Sequence, residues 1–416
     1  MFSFGTVNFI FVVFVILYLP RIWCWFAPFK QQKRVFNYKK NKLALIIPAR
    51  NEGNAVLPLF ESIENQTYDR NNFDVFVVVK EYDDPVIEYA KRINAKVFVD
   101  VTQTCKGDCL DSTIKKMLKE YPEKYDGYLI VDADCVLDST FMEEMNNAMA
   151  TGADVINAKK LVKNYLPGNQ NTCNLVTACN GLIWTFMDEM GNRWKSDHGF
   201  TTMTVTTGIL FSKKLVEKWG GWIYRSTLTE DMELERDCAL QGYKTFYYSY
   251  AKIYMEEAPT LEMTNKRRTR WMTGVTHSDL LYGPKLLKKE KTFHNIANNY
   301  YVLCLWVVYA YVAALILIGG INLISGFIAL FSISSATHYF AMTLYCFFGI
   351  YLIFFALTAM AIIVSYDQIT LNLIGKIKLL FVHPLFYMKY ISIVAKALVN
   401  KEPQTWEVIE RVKVQK

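Results

Sequence analysis

From Thr292 to Tyr366 the chain contains not one Asp, Glu, Lys or Arg. A helix needs roughly 20 apolar residues to cross the hydrocarbon of a bilayer, so this run is long enough for two spans and a connection. Gly319, Gly320 and Asn322, then Ser332 to His338, are natural places to turn, and spans are expected near Tyr300–Ile318 and Phe340–Val364. A third apolar segment, Phe4–Trp25, has no Lys or Arg before Arg21, whereas Lys30, Lys33, Arg34, Lys39, Lys40 and Lys42 follow it. A secretory signal peptide has the opposite charge order. The excess of positive charge on the inner side of membranes makes the segment an uncleaved anchor with its amino end outside. Lys285, Lys288, Lys289 and Lys291 flank the next span on the same side.

These marks divide the chain into an anchor (1–29), a cytosolic domain (30–291), two spans (292–366) and a C-terminal part (367–416). Within that last part Leu379–Val399 is apolar but broken by His383, Pro384, Lys389 and Lys396. The basic tail (Lys401, Arg411, Lys413, Lys416) is already cytosolic with three spans, so an interfacial or re-entrant segment is expected. The protein is read as multi-pass in the plasma membrane. Its net charge of +7 is accounted for by the juxtamembrane clusters, which attract anionic lipid; nothing points to nucleic acid. Nine cysteines at irregular spacing form no CxxC pair, and Cys105 and Cys109 lack partnering histidines, so a zinc site is not expected.

Between the basic clusters, strands and helices alternate. Leu43–Ile47, Phe73–Val79, Ala95–Val99 and Tyr128–Val131 read as buried strands. Helices are expected over about Asn54–Gln66, Pro85–Ile93 and Ser112–Lys119. The alternation implies an α/β domain with a mostly parallel sheet. Ligands of such sheets bind beyond the carboxyl ends of the strands, here just after Ile47, Val79 and Val131. Polar clusters stand at all three places. After the last comes Asp132-Ala133-Asp134, two carboxylates suited to a hard divalent cation (Mg2+ or Mn2+) and a sugar diphosphate. On its own an Asp-x-Asp turn is as readily a solvated loop.

Further motifs follow in order. Leu45-Ile46-Ile47-Pro48-Ala49-Arg50-Asn51-Glu52 resembles the opening strand and loop of family 2 glycosyltransferases, inverting enzymes on a GT-A-type fold. Later come Thr207-Gly208-Ile209-Leu210-Phe211, Gly220-Gly221-Trp222, Leu228-Thr229-Glu230-Asp231, Gly242-Tyr243, Glu257-Ala258-Pro259-Thr260 and Arg267-Arg268-Thr269-Arg270-Trp271. This order resembles the membrane-bound synthases of cellulose, chitin, hyaluronan and related β-glycans. The resemblance implies a UDP-sugar donor and a polysaccharide acceptor. It places Ala49 and Glu52 beside the donor, though Glu52 could equally start the following helix. It also sets Glu81 against the uracil where the family more often has Asp, and Lys106-Gly107 near the diphosphate. One departure stands out: the family's usual Gln-x-x-Arg-Trp carries Arg267 in place of Gln. A variant with Arg occurs in ceramide glucosyltransferases, which move one sugar to a lipid.

The residues also make chemical sense by themselves. Inversion at an anomeric carbon needs a base on the acceptor hydroxyl, opposite the departing diphosphate. Asp231 of Thr229-Glu230-Asp231 is that candidate, at the start of a helix running to Gln241 with Gly242 as its stop. The bland alternative is a capping box formed by Thr227 and Glu230. Arg268 and Arg270 are planar cations suited to a diphosphate, and Trp271 offers a flat face to a pyranose ring. Alternatively the arginines are a juxtamembrane basic cluster and Trp271 an interfacial anchor. His198 and His277 lack ligand spacing. Leu182, Ile183, Trp184, Phe186 and Met187 form an interfacial helix or core. The expected function is a processive synthase extending a β-glycan with hexose, glucose first. The alternative is single transfer to a lipid.

Overall fold

The computed structural model describes residues 3–331 and 333–399; the basic tail residues named above lie outside them. Eight strands form one sheet: β1 (Leu43–Pro48), β2 (Phe73–Val79), β3 (Lys96–Val99), β4 (Gly127–Ile130), β5 (Val136–Leu137), β6 (Val155–Val162), β7 (Ile209–Ser212) and β8 (Thr245–Met255). Their spatial order is β3-β2-β1-β4-β7-β6-β8-β5. The first half is all parallel, with Leu45 of β1 beside Val75 of β2 and Leu129 of β4. Those strands are apolar on both faces because both faces are covered. Leu45, Ile47, Val77 and Leu129 enter one core; Ile46, Phe76, Val78 and Ile130 enter the other. The second half is mixed. β7 runs antiparallel between β4 and β6, β6 pairs parallel with β8, and β5 pairs antiparallel with β8.

The helices that bear on the site are α1 (Phe4–Cys24), α2 (Lys106–Glu120), α3 (Leu175–Trp184), α4 (Glu230–Gln241), α5 (Leu261–Lys288), α6 (Leu305–Ile328), α7 (Ile333–Val364) and α8 (Leu373–Val399). Between α3 and Arg193 the backbone widens into a π-helix, Thr185–Asn192. Such widened turns leave carbonyls off the regular ladder. Arg21, in the last turn of α1, donates to two of them, the carbonyls of Phe186 and Met190. Leu182 and Phe186 thereby join Phe14, Tyr311, Leu315, Cys346 and Phe386 in a third apolar cluster. The segment expected at an interface is thus packed between the sheet domain and the apolar helices.

Among the described residues, four helices are long and apolar enough to cross a membrane: Phe4–Phe29, Leu305–Ile328, Ala336–Val364 and Leu373–Val399. The expected count of three therefore becomes four by length and composition. The C-terminal segment is one continuous helix, not a re-entrant turn. Of the residues that interrupt its hydropathy, His383 and Pro384 are buried while Lys389 and Lys396 are exposed; His383 is bonded to Thr358 at 2.7 Å and set against Phe186. Nor does the chain turn at Gly319, Gly320 or Asn322. α6 runs through them, and a Cβ on Gly319 would meet Cys346 Cβ of α7 at 3.3 Å. The small residue lets two helices approach closely. Asn322 satisfies its amide within the helix by donating to the Ile318 carbonyl.

Candidate active site

Strand ends deliver the first group of side chains. Asp132 and Asp134 follow β4, and Lys106 is the first residue of α2. Lys106 Nζ donates to Asp132 Oδ1 at 2.5 Å and to the Thr206 carbonyl at 2.7 Å, and lies 4.0 Å from Glu230 Oε1. Thr206 Oγ1 donates to Glu230 Oε1 at 2.7 Å, and the Asp132 N–H donates to Thr207 Oγ1 at 2.9 Å. Gly208 then turns into β7 at φ +63°, where a Cβ would lie 2.9 Å from Ile253 Cγ2. Only glycine fits that left-handed, crowded position. Thr206 was not singled out above, and Thr207 stood there only as the first residue of a motif. The threonine-rich run 201–207, placed just before a motif strand, was the available signal.

The second group comes from the start of α4. The N-cap is Thr229, which makes no side-chain cap bond, so the capping box of Thr227 and Glu230 is not formed. The Thr227 N–H donates instead to Glu233, and Glu230 is turned to Thr206 and Lys106. Gly274 of α5 lets this loop sit close: a Cβ there would lie 2.3 Å from Thr229 Oγ1. A buried ion network then ties α4 to its neighbours. Arg236 donates to Asp279 of α5 at 2.8 Å and to Glu235 at 2.7 Å, and Lys195 reaches Glu235 at 3.3 Å. Burial, and secondarily the Glu230 carboxylate, push Asp231 up to about 7, against the pull of Lys106 and Arg270. Burial also raises Asp132 in spite of Lys106. Burial depresses Lys106, but Asp132 and Glu230 outweigh it and hold the ammonium above its ordinary value.

α5 brings the third group. Residues three and four apart share a helix face, so Arg267, Arg270 and Trp271 point one way, into the cavity. Arg270 Nε is buried there with no hydrogen-bond partner among the described residues. Arg268 is off that face, a correction to its expected place at the diphosphate. It donates to Asn180 of α3 at 2.9 Å and its guanidinium lies 4.5 Å from the Phe386 ring and 4.9 Å from that of Tyr390 on α8. Glu52 lines the cavity, but Ala49 and Glu81 do not. Ala49 is fully buried against the sheet, and Glu81 is exposed beyond β2. The nearby acid that is buried, Asp84, accepts the Asn51 N–H and so braces the loop after β1. His198 stacks on Trp194 and His277 meets the Ala397 carbonyl, both structural contacts.

Lys106, Asp132, Asp134, Thr206, Glu230, Asp231, Arg267, Arg270 and Trp271 face one cavity of about 2000 Å³. It runs from Asp132, Asp134, Glu230 and Asp231, past Arg270 and Trp271, to Val308, Val312 and Ile316 of α6, Ile353 and Leu357 of α7, and Tyr387, Tyr390 and Ile391 of α8. Asp132 and Asp134 offer two hard oxygen donors on its wall. No group of three or more His, Cys, Asp or Glu side chains that could hold a metal exists among the described residues. Two carboxylates fit Mg2+ or Mn2+ when substrate phosphate and water complete the octahedron.

The sequence model described as "Glycosyltransferase like family 2" matches residues 41–274, more than half of the chain. A Bacillus subtilis protein, probable glycosyltransferase YdaM, is 23% identical over 263 residues, 60% of this chain. The chain spans 59% of that relative's length. Among solved structures, mannosyltransferase PcManGT from Pyrobaculum calidifontis, in complex with GDP-Man and Mn2+, superposes with a TM-score of 0.55. It is 13% identical, with 94% of this chain and 98% of that one covered. The S. aureus protein TarS (residues 1–349, with UDP-GlcNAc) gives a TM-score of 0.41 at 13% identity, covering 84% of this chain and 92% of that one. The parallel β1–β4 half, the carboxylates beyond β4 and the matched span lead to one conclusion: the chain belongs to the glycosyltransferase-like family 2, on a GT-A-like fold.

Proposed function

We propose that the protein is an inverting hexosyltransferase. It takes a hexose, glucose first, from a UDP-sugar, adds it to the non-reducing end of a β-glycan, and passes the chain across the bilayer. One observation carries this reading: a single cavity joins the acidic cluster to the helices apolar enough to span a membrane. A hydroxyl arriving from the membrane side meets Asp231. Asp231 takes its proton as the new bond to the anomeric carbon forms and the bond to the UDP oxygen breaks on the opposite face. Lys106 and Arg270 bear the charge of the departing diphosphate. A divalent cation on Asp132 and Asp134 would neutralise the same charge; that the mannosyltransferase neighbour is in complex with GDP-Man and Mn2+ supports this. Trp271, Tyr387 and Tyr390 offer flat faces to pyranose rings. The basic residues beside the spans support a cytosolic catalytic domain at the plasma membrane.

The test is purified full chain in lipid nanodiscs with a panel of single UDP-sugars and Mg2+ or Mn2+, with product sizing and linkage analysis. Polymer from UDP-glucose is expected. A product one sugar long that stays lipid-extractable would overturn the polymer reading. It would favour a second one, single transfer to a lipid. Two observations speak for that second reading: the aliphatic Val308, Val312, Ile316, Ile353 and Leu357 in the membrane end of the cavity, and Arg267 in the family's Gln position.

A further inference from the structure

Glu257 is 2% exposed in the turn between β8 and α5, and the chemistry above makes no use of it. Its two oxygens are committed to different partners. Trp184 Nε1 donates to Oε1 at 2.7 Å, and Arg267 Nη1 approaches Oε2 at 3.5 Å. Arg267 also donates to the Glu256 carbonyl at 2.9 Å, and its guanidinium lies 4.7 Å from the Trp271 ring centroid. Trp271 in turn meets Trp184 edge to face, with centroids 5.9 Å apart. Acid, cation and two indoles therefore form a closed circuit, each touching the next. All four line the cavity, where the acidic end gives way to the apolar helices.

We propose that Glu257 is a positioning residue for the acceptor: through Arg267 and Trp184 it locks Trp184 and Trp271 into one platform that presents the acceptor hydroxyl to Asp231. This rests on the reading that an acceptor passes Trp271 to reach the base. A carboxylate this buried is tolerable only when paired and hydrogen-bonded, and the circuit supplies both. An indole held by packing alone can pivot. Here one indole is tethered through its N–H and the other by a cation over its face. Gln at position 267 could accept and donate hydrogen bonds but could not place a charge on the ring. The guanidinium also covers one face of Trp271, so a sugar ring has a single face on which to stack. Displacement of reacting groups by about 1 Å can cost on the order of 100-fold in rate, which is why such a platform matters.

Glu257→Gln keeps the shape and the acceptor for Trp184 while removing the charge that holds Arg267. The experiment uses the full chain in nanodiscs with UDP-glucose, or whichever UDP-sugar the unaltered protein turns over fastest. It follows incorporation into product and UDP released to water as separate rates. Incorporation is expected to fall about tenfold, the worth of one desolvated cation–π contact, with KM for the UDP-sugar and release to water unchanged. Arg267→Gln should have the same signature, and the double variant should lose no more than Arg267→Gln alone. Additive losses, parallel loss of both rates, or full incorporation by Glu257→Gln would each overturn the proposal. Should Glu257→Gln not fold, Trp184→Phe removes the N–H tether together with one ring of the indole; it should raise release to water relative to incorporation, and an unchanged ratio overturns the idea. Turnover by the unaltered chain checks the underlying reading separately.

Discussion

The two ends of the cavity are held in shape by opposite means. At the acidic end each charged group is set by another: Lys106 by Asp132 and Thr206, Glu230 by Thr206, and the α4 helix behind them by the Arg236–Asp279–Glu235 network. At the apolar end the lining residues of α6, α7 and α8 carry no charge, and their positions follow from helix packing such as Gly319 against Cys346. Preorganised dipoles and charges act on the barrier, where charge develops in the transition state. An apolar wall acts on what binds. Substitutions at the first end should therefore appear in kcat, and those at the second in the acceptor's KM.

The largest effect is expected from Asp231→Asn, which removes the proposed base and leaves the shape. Product formation should fall by about 10²–10⁴-fold while UDP-sugar binding, measured by calorimetry, stays. A variant that still releases UDP at the normal rate would break the assignment of the acidic end. Arg236→Leu strikes the same end from behind. It leaves Asp279 buried without its cation and Glu235 with Lys195 alone, at a cost on the order of 3–5 kcal/mol, read as faster thermal inactivation. Gly274→Ala comes next. Its methyl would overlap Thr229 Oγ1, and overpacking of this kind costs about 1–3 kcal/mol. Because the strain falls on the turn that carries Glu230 and Asp231, kcat should drop more than stability does.

The pH profile gives a smaller and more diagnostic effect. Burial and Glu230 raise Asp231 to about 7, so the carboxylate that accepts a proton exists mainly above that pH. Below it kcat/KM, which reports the free enzyme, should fall tenfold per pH unit. The acid limb should vanish in Asp231→Asn. A profile flat from pH 5 to pH 8 would mean that the proton goes elsewhere.

The same contrast explains what could be read in the sequence. β1, β2 and β4 were legible within a residue or two, because strands buried on both faces are unbroken runs such as Leu43–Ile47. The carboxylates fell at the expected strand end, and α4 ended at Gly242, left-handed at φ +73°. The mixed half of the sheet was not legible. β6 reads Val-Ile-Asn-Ala-Lys-Lys-Leu-Val, and its Asn157 and Lys160 are buried only because Thr202 and Asp188 meet them. Those partners are distant in the chain, and no local pattern announces them. Arg268 was not legible either: it stands three residues before Trp271, so helical periodicity does not separate the two, and its bond to Asn180 of α3 spans 88 residues. Glu257 lay in view within a motif, but its tie to Trp184 spans 73 residues and only the fold reveals it.

The smallest expected effect bears on the apolar end itself. Val312 of α6 is 6% exposed and lines the cavity, and Val312→Thr replaces a methyl by a hydroxyl at nearly constant volume. In a limb filled by a lipid chain that hydroxyl can turn only to the carbonyl four residues back in its own helix, as Thr358 does to Phe354, and losing its water costs about 1–3 kcal/mol. The acceptor's KM would then rise by roughly tenfold or more, at 1.4 kcal/mol per factor of ten. In a limb that conducts a glycan, sugar hydroxyls and the water around them accept and donate to it. The expected outcome is therefore an acceptor KM and product length unchanged by Val312→Thr, measured in the same nanodiscs beside Ile353→Thr on the facing helix α7. A selective rise in KM for both variants, with kcat intact, would assign the apolar end to a lipid chain. The acidic end would keep its chemistry, because nothing in the Lys106, Glu230 and Asp231 arrangement depends on which acceptor carries the hydroxyl.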